Sequence, residues 1–267
     1  MLSVFEKDLW NRFAVEKDSR PGIDKILGRY KSGEIRGILE KWVPALGAKK
    51  VLKTDLREEA SGEDEILFSL SECGLSVFAL DISVKMAARA DIGQKRRGLK
   101  QKYIAADVRN LPFKNNSFDA VVSNSTLDHF FNDTDLVRSL LELKRVLKPG
   151  GKAIVTLNNS CNINFYLMLK LEKALGLIPY PVQFYSMHKL RKIMKEAGLV
   201  IRDKSYIVHI ISPLNSLLLL LRRFVPENAV NRIAESIVYL SGRLGRNKIT
   251  NPFTGWFIAL GCDKKEN

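Results

Sequence analysis

Short apolar runs alternate with amphipathic stretches along most of the 267-residue chain. Strands that alternate with helices at this spacing indicate βαβ units built around a largely parallel sheet. The apolar runs predict strands at 49–53, 76–80, 103–106, 118–123, 152–157 and 255–260.

Apolar residues at helical spacing define the segments between these strands. Residues 1–46 follow this spacing and are predicted to form a helical N-terminal extension. Residues 47–267 are predicted to form one domain, with helical cap segments inserted at 161–183 and 212–250. Within that domain, helices are predicted over 65–73 before Gly74, over 84–90 with Ser83 as N-cap, along Leu136, Leu140, Leu143 and Leu147, and after the N-cap Ser186.

The apolar run from Ile207 to Leu221 raises the question of a membrane span. It covers about 15 residues and contains His209, Pro213 and Asn215, whereas a span needs about 20 largely apolar residues. We therefore predict that this run ends one strand and begins a helix after Pro213. His209 is then a core residue.

The composition is ordinary for a globular protein, but the net charge is +14. Such a surplus favours anionic partners such as nucleic acid, acidic lipid headgroups or phosphorylated substrates. The alternative is that the charge serves only solubility. The three cysteines (Cys73, Cys161 and Cys262) are far apart, so neither a disulfide framework nor a metal site is predicted. The N-terminus is charged throughout and lacks an apolar signal region, so we expect a cytoplasmic location.

Acidic residues stand at the ends of two successive predicted strands. The run 76–80 stops at Asp81, and the run 103–106 stops at Asp107. Apolar runs that halt at a carboxylate are typical of parallel strands whose carboxyl ends form a ligand crevice. One helical crossover separates the two acids, which favours a nucleoside-type ligand held by its ribose and base.

Three segments follow one another in the order VFALDIS, AADVRNLPFKNNSFDAVVSNSTLDHF and LKRVLKPGGKAIVTLNN. This set resembles the class I S-adenosylmethionine-dependent methyltransferases, in the group that methylates small molecules, quinones and lipids. The resemblance covers roughly residues 48–210 and the last strand. It implies S-adenosyl-L-methionine as cofactor and an α/β fold, with a doubly wound, mostly parallel, seven-stranded Rossmann-like sheet, a helical N-terminal extension and a helical insertion before the last strand.

The first motif of that family is altered here. The family usually has a strand ending in an acid and then a glycine-rich loop near the methionine part of the cofactor, whereas this chain has VLKTDLREEASGED. Lys53 replaces the acid, and its substitution by alanine is expected to matter little for cofactor binding. We interpret the segment as a variant cofactor loop, in which Thr54 donates to the cofactor carboxylate and Asp55 and Glu59 neighbour its positive groups. The alternative is a loop that has lost the cofactor.

The resemblance also assigns the nucleoside contacts. Asp81 is expected to bind the ribose hydroxyls, with a strand-end cap as the structural alternative. Asp107 is expected to accept a hydrogen bond from the adenine amine, with an Asx-type turn as the alternative. Ile82 and Val108 would complete the adenine slot.

Methyl transfer needs mainly alignment, because the sulfonium is already activated. Ser123 and Asn124, at the end of the fourth strand, are expected beneath that sulfonium. A general base is required only for a hydroxyl or protonated amine acceptor, and His129 is the best candidate, with simple packing as its alternative. Tyr185 and His188 are further candidates to reach the acceptor.

The acceptor is weakly encoded. The two insertions are apolar and the second is also basic, which suits a small or lipid-like acceptor and peripheral contact with a membrane, although a cap that packs on the sheet is the alternative. Nucleic acid is disfavoured because basic residues are mixed with aliphatic ones rather than with stacking aromatics. The leading prediction is an S-adenosylmethionine-dependent methyltransferase. The alternatives are a catalytically inactive scaffold and an RNA methyltransferase.

Overall fold

Seven strands form a single mixed sheet in the computed structural model. The model describes residues 4–14, 22–43, 48–61, 70–71, 74–96, 101–176, 178, 180–210, 224–245 and 247–264. The strands are β1 (Lys50–Thr54), β2 (Ser76–Asp81), β3 (Lys102–Ala105), β4 (Phe118–Asn124), β5 (Leu147–Asn158), β6 (Leu199–His209) and β7 (Gly255–Lys264).

Helices precede the sheet and connect its strands. They are α1 (Val4–Phe13), α2 (Gly22–Trp42), α3 (Arg57–Ser61), α4 (Val84–Arg96), α5 (Asp133–Val146), α6 (Ile163–Ala174), α7 (Met187–Glu196), α8 (Glu227–Gly245) and α9 (Asn251–Thr254), with a 3₁₀ turn at Leu127–His129. Ser83 and Ser186 cap α4 and α7 as predicted, because their hydroxyls accept hydrogen bonds from the amides of Met86 and Lys189.

The strand order is β3-β2-β1-β4-β5-β7-β6. The first five strands in this order run parallel to one another, and β7 is antiparallel to both β5 and β6. The chain reverses its direction of travel across the sheet between β1 and β4, and ligands bind outside the carboxyl ends of strands at such a switch point. The predicted α/β fold with a doubly wound, mostly parallel sheet is confirmed.

Both faces of the sheet are covered by apolar side chains. Leu136, Leu140 and Leu143 of α5 are fully buried against one face, as their spacing predicts. Ile35 and Leu39 of α2 belong to the layer on the other face. Alternate residues of the strands contribute to the two apolar layers, so the sheet is packed on both faces. This packing holds the carboxyl ends of the strands in place.

Strand β5 begins earlier than predicted. Its extended backbone starts at Leu147 and includes the Lys148–Gly151 turn, because α5 ends at Val146 and the chain pairs with β4 at once. A side chain at Gly151 would come within 2.9 Å of two backbone carbonyl oxygens, one of which belongs to Asp119. Glycine is therefore needed where β5 meets β4.

Asp119 has a structural role at the start of the sheet. Its carboxylate accepts hydrogen bonds from the amides of Lys49 and Lys50 and pairs with Lys148 Nζ at 2.6 Å. It therefore joins the start of β1 to β4 and β5.

Some sequence predictions fall outside the described residues. Most of the predicted 65–73 helix and the helix after Pro213 lie there, whereas β6 ends at His209, which is buried and hydrogen-bonded to Thr254 Oγ1 at 2.8 Å. In the described part of the chain, no helix is long and apolar enough to cross a membrane. Cys161 and Cys262 are free thiols.

Candidate functional site

A cavity opens at the carboxyl ends of the parallel strands. Six of the predicted site residues line it: Asp55, Asp81, Ile82, Asp107, Val108 and His129. The other walls come from α1, the start of α3 and the 3₁₀ turn, and include Leu9, Trp10, Arg57, Thr126, Phe130 and Phe131. The topology therefore brings residues from across half of the sequence to one place.

Asp81 joins the end of β2 to the loop after β1. One of its carboxylate oxygens accepts from the Ser83 amide at 2.8 Å, and the other accepts from the Leu56 amide at 3.0 Å. Burial raises the pKa of Asp81, although these two hydrogen bonds oppose the shift. Each carboxylate oxygen has a second lone pair, so the group can hold the loop and also accept from a ligand.

Asp107 forms the Asx-type turn that the sequence left as an alternative, because its Oδ1 accepts from the Arg109 amide at 2.9 Å. The Arg109 guanidinium also pairs with Asp107 at 3.0 Å, with Glu6 of α1 at 2.7 Å and with Asp135 of α5 at 2.9 Å. Arg109 is buried and thus links α1 to the cavity wall. The cavity position of Asp107 and its role in the turn coexist.

Thr54, Ser123 and Asn124 are buried and do not line the cavity. The Thr54 hydroxyl donates to Ser123 Oγ at 2.9 Å and is 3.1 Å from the hydroxyl of Thr126, a residue of the cavity wall. Asn124 Nδ2 donates to Glu58 at 3.3 Å. The expected place of Ser123 and Asn124 beneath the sulfonium stays a prediction.

Lys53 is fully buried at the end of β1, where its ammonium group lies among three carboxylates. Its Nζ is 3.0 Å from Glu59 and 3.4 Å from both Asp55 and Glu58, and it also donates to the Asp55 carbonyl at 2.8 Å. Glu59 therefore faces Lys53 and does not line the cavity. The carboxylates are close enough to hold a metal ion, but the lysine already supplies positive charge among them.

Burial and the neighbouring charges shift the pKa values of Lys53, Asp55 and Glu58 in different directions. Burial disfavours the Lys53 ammonium, but the three carboxylates outweigh burial and raise the pKa of Lys53 well above its usual value. Burial and the neighbouring Glu58 raise the pKa of Asp55 to about 8. Burial also acts to raise the pKa of Glu58, but Lys53 and Lys31 lower it to about 2. Of these two acids, Asp55 is thus the harder to ionise and Glu58 the easier.

Asp55 has a backbone conformation that ordinarily favours glycine. Its φ is 122°, in the region that favours glycine, and its amide donates to the Leu80 carbonyl at 2.7 Å. A residue held at such a φ costs about 1–3 kcal/mol and persists only where its surroundings enforce it. The contacts of Asp55 with Lys53 and the hydrogen bond to β2 enforce it here.

His129 belongs to a group of three rings at the mouth of the cavity. The ring centroids of Trp10, His129 and Tyr180 are 5.1–5.3 Å apart in each pair. His129 Nδ1 is 3.0 Å from the Pro181 carbonyl oxygen. Because a carbonyl can only accept, Nδ1 carries the hydrogen, and Nε2 of the neutral ring keeps its lone pair.

Sequence reasoning missed Trp10, Tyr180 and the pairing of Arg109 with Glu6. The helical spacing of residues 1–46 predicts helices, but it carries no signal that α1 closes one side of the cavity. The two further candidates at 185 and 188 do not reach the cavity: Tyr185 is fully buried in the core, and His188 is exposed on α7.

The residues of the cavity fit S-adenosyl-L-methionine. Asp81 and Asp107 offer carboxylate oxygens, Ile82 and Val108 offer apolar walls, and Asp55 offers a carboxyl group near the altered loop. These groups suit a ribose, a flat purine and a cationic amino acid end.

Comparisons with known proteins agree with this geometry. Residues 57–155 match the family model described as a methyltransferase domain. A demethylmenaquinone methyltransferase of Renibacterium salmoninarum is 34% identical over 142 residues, which are 53% of this chain and 56% of that protein. The match thus spans little more than half of this curated relative.

Solved structures share the fold at low sequence identity. The geranyl diphosphate C-methyltransferase of Streptomyces coelicolor A3(2) has a TM-score of 0.55 at 13% identity, over 85% of this chain and 78% of that one. The [4+2]-cyclase SpnF has a TM-score of 0.58 at 16% identity, over 87% and 80%. Residues 57–155 are therefore similar to a methyltransferase domain, and the solved structures show the same fold, in agreement with the three motifs.

Lys53 has a structural role that the expectation about cofactor binding does not address. Replacing Lys53 with alanine removes the buried cation that pairs with Glu59, so we expect the free energy of unfolding to fall by about 3–5 kcal/mol. Lys31 approaches the same cluster from a more exposed position, and Lys31→Ala should cost less than about 1 kcal/mol.

Urea denaturation of both variants measures the difference. Lys53→Met combined with Glu59→Gln removes both partners of the closest pair and should recover part of the loss. Equal stability of Lys53→Ala and the unsubstituted protein would contradict this description of the cluster.

Proposed function

We propose that the protein transfers a methyl group from S-adenosyl-L-methionine to a small or lipid-like acceptor. The observation that carries the proposal is that Asp81 and Asp107, the acids at two successive strand ends, line one cavity together with Ile82 and Val108. A few convergent polar groups in an apolar pocket are what a nucleoside ligand requires.

The altered loop is proposed to bind the amino acid end of the cofactor through side chains. Asp55 lines the cavity where the family has bare glycine backbone, and its carboxyl suits the ammonium and sulfonium groups. Arg57 lines the same cavity and suits the cofactor carboxylate. Lys53 does not face the ligand but holds Asp55 in place, so we assign it a positioning role.

His129 is proposed as the general base. The cofactor itself supplies the activated methyl group, so the chain has only to align the acceptor and remove its proton. The Pro181 carbonyl fixes the ring with Nδ1 protonated, which leaves Nε2 able to accept a proton. This arrangement supports an acceptor that must lose a proton, such as a ring hydroxyl.

A flat, apolar acceptor is favoured by the rest of the cavity. Leu9, Trp10, Phe130 and Phe131 line it, and aromatic side chains pack well on ring systems. The relative described above is named for demethylmenaquinone, which supports a quinone-like acceptor for this chain as well.

A second candidate function is a binding scaffold without turnover. The specific observation in its favour is that Lys53 already places a cation within the loop that usually meets a cationic cofactor. Nucleoside binding distinguishes the two candidate functions, because only the methyltransferase requires Asp81 to bind a nucleoside.

We expect Asp81→Ala to weaken S-adenosylmethionine binding by at least about 100-fold, because the two charge-assisted hydrogen bonds from the ribose hydroxyls to the carboxylate are lost. Asp81→Asn retains an acceptor for the Leu56 amide and tests whether any loss reflects the loop alone. Asp91→Ala, on the exposed side of α4, is the matched control and should bind normally. Unchanged affinity in a folded Asp81→Ala protein, measured by calorimetry, would mean that the site lies elsewhere.

We expect His129→Ala to lower single-turnover methyl transfer by about 100-fold or more, while cofactor affinity stays unchanged. The assay uses radiolabelled cofactor and a hydroxylated naphthoquinol acceptor. An unaltered rate would assign His129 to packing with Trp10 and Tyr180.

A further inference from the structure

Helix α6 is apolar but hardly buried. Its twelve residues, INFYLMLKLEKA, include eight apolar or aromatic side chains, yet Phe165 is the single buried residue of this fully described helix. An apolar face left in solvent on a monomer marks an interaction surface.

The exposed side chains form one continuous stripe. Ile163, Leu167 and Leu171 are spaced four residues apart, and Leu175 follows at the C-cap. They are 64%, 56%, 61% and 65% exposed. Residues at this spacing share one helix face. We call these four residues the apolar stripe.

The other side of α6 is anchored to the sheet. The Phe165 ring stacks on Trp256 with centroids 4.5 Å apart, and Tyr166 contacts Phe184 edge to face at 4.9 Å. Asn162 caps the helix and donates to the Thr254 carbonyl at 2.9 Å. The apolar stripe is therefore held outward by these contacts.

Positive charge accompanies the stripe. Lys170 Nζ lies 4.8 Å from the centre of the Tyr166 ring on the same helix. Lys173 follows Lys170 by about one helical turn and is exposed. Glu172 is seven residues from Phe165 and so shares the anchored side. Exposed leucines beside lysines, on a chain of net charge +14, match a surface that is apolar inside and anionic at its headgroups.

The helix also leads to the cavity. The chain runs from α6 to Tyr180, whose ring contacts His129, and to Pro181, which lines the cavity. We propose that the apolar stripe docks the protein on an anionic lipid surface, where a lipid-like acceptor can reach the cavity beside His129. The acceptor part of this inference rests on the proposed function, whereas the docking part does not.

Vesicle sedimentation tests the docking directly. The protein should bind vesicles of equal parts phosphatidylglycerol and phosphatidylcholine. Leu167→Gln with Leu171→Gln should weaken binding at least about tenfold, because two leucines that the bilayer would bury on docking are lost. Ile92→Gln with Leu141→Gln removes two exposed apolar residues from other helices and should bind like the unsubstituted protein. Lys170→Gln with Lys173→Gln should weaken binding by about 30-fold on the anionic vesicles.

Three outcomes would overturn the inference: no binding of the unsubstituted protein at low salt, equal binding of the stripe variant, or equal loss in the Ile92 and Leu141 control. Sedimentation equilibrium identifies one further case. If the protein does not bind vesicles but forms a dimer that the stripe substitutions abolish, the surface binds a second copy of the chain. Cofactor calorimetry on the same samples keeps the two proposals apart. Cofactor binding without vesicle binding rejects the docking only, and the reverse rejects the proposed function only.

Discussion

The buried ammonium of Lys53 is the interaction on which the cavity depends. It lies within 3.4 Å of three carboxylates and also binds the Asp55 carbonyl, so one side chain fixes the loop after β1 and the start of α3. Glycine-rich loops bring bare backbone to the cofactor. Here an internal ion-pair network holds a loop of side chains in a comparable position, and Asp55 retains the glycine-like φ of 122°.

Local patterns are sufficient to predict the sheet and two key acids. Buried strands give short apolar runs, and the ends of those runs point to Asp81 and Asp107 from the sequence alone. The caps Ser83 and Ser186 are likewise predictable, because a capping side chain acts on a backbone amide three residues away. All of these signals lie within a few residues in the sequence.

Contacts between distant segments are not predictable in the same way. The ion pairs of Lys53 are one example, because a sequence shows that a lysine and acids are near neighbours but not that the strand end buries them together. Trp10 and Glu6 reach the cavity from the first helix across a separation of more than one hundred residues, as the pair with Arg109 shows. The apolar spacing of α6 left contact with a membrane and a cap that packs on the sheet as alternatives, and the exposure of the apolar stripe is seen only in the structure.

The fold alone does not determine the reaction, since the cyclase SpnF shares it. The ion-paired loop is proposed to accept a cationic cofactor, and we would test this first by calorimetry of the unsubstituted protein in buffers of different ionisation enthalpy. Burial and Glu58 raise the pKa of Asp55 to about 8, and a bound cation lowers that pKa. We therefore predict micromolar binding of S-adenosylmethionine, with release of a proton and with affinity that rises between pH 6 and 8. Absence of binding at millimolar cofactor would contradict this proposal.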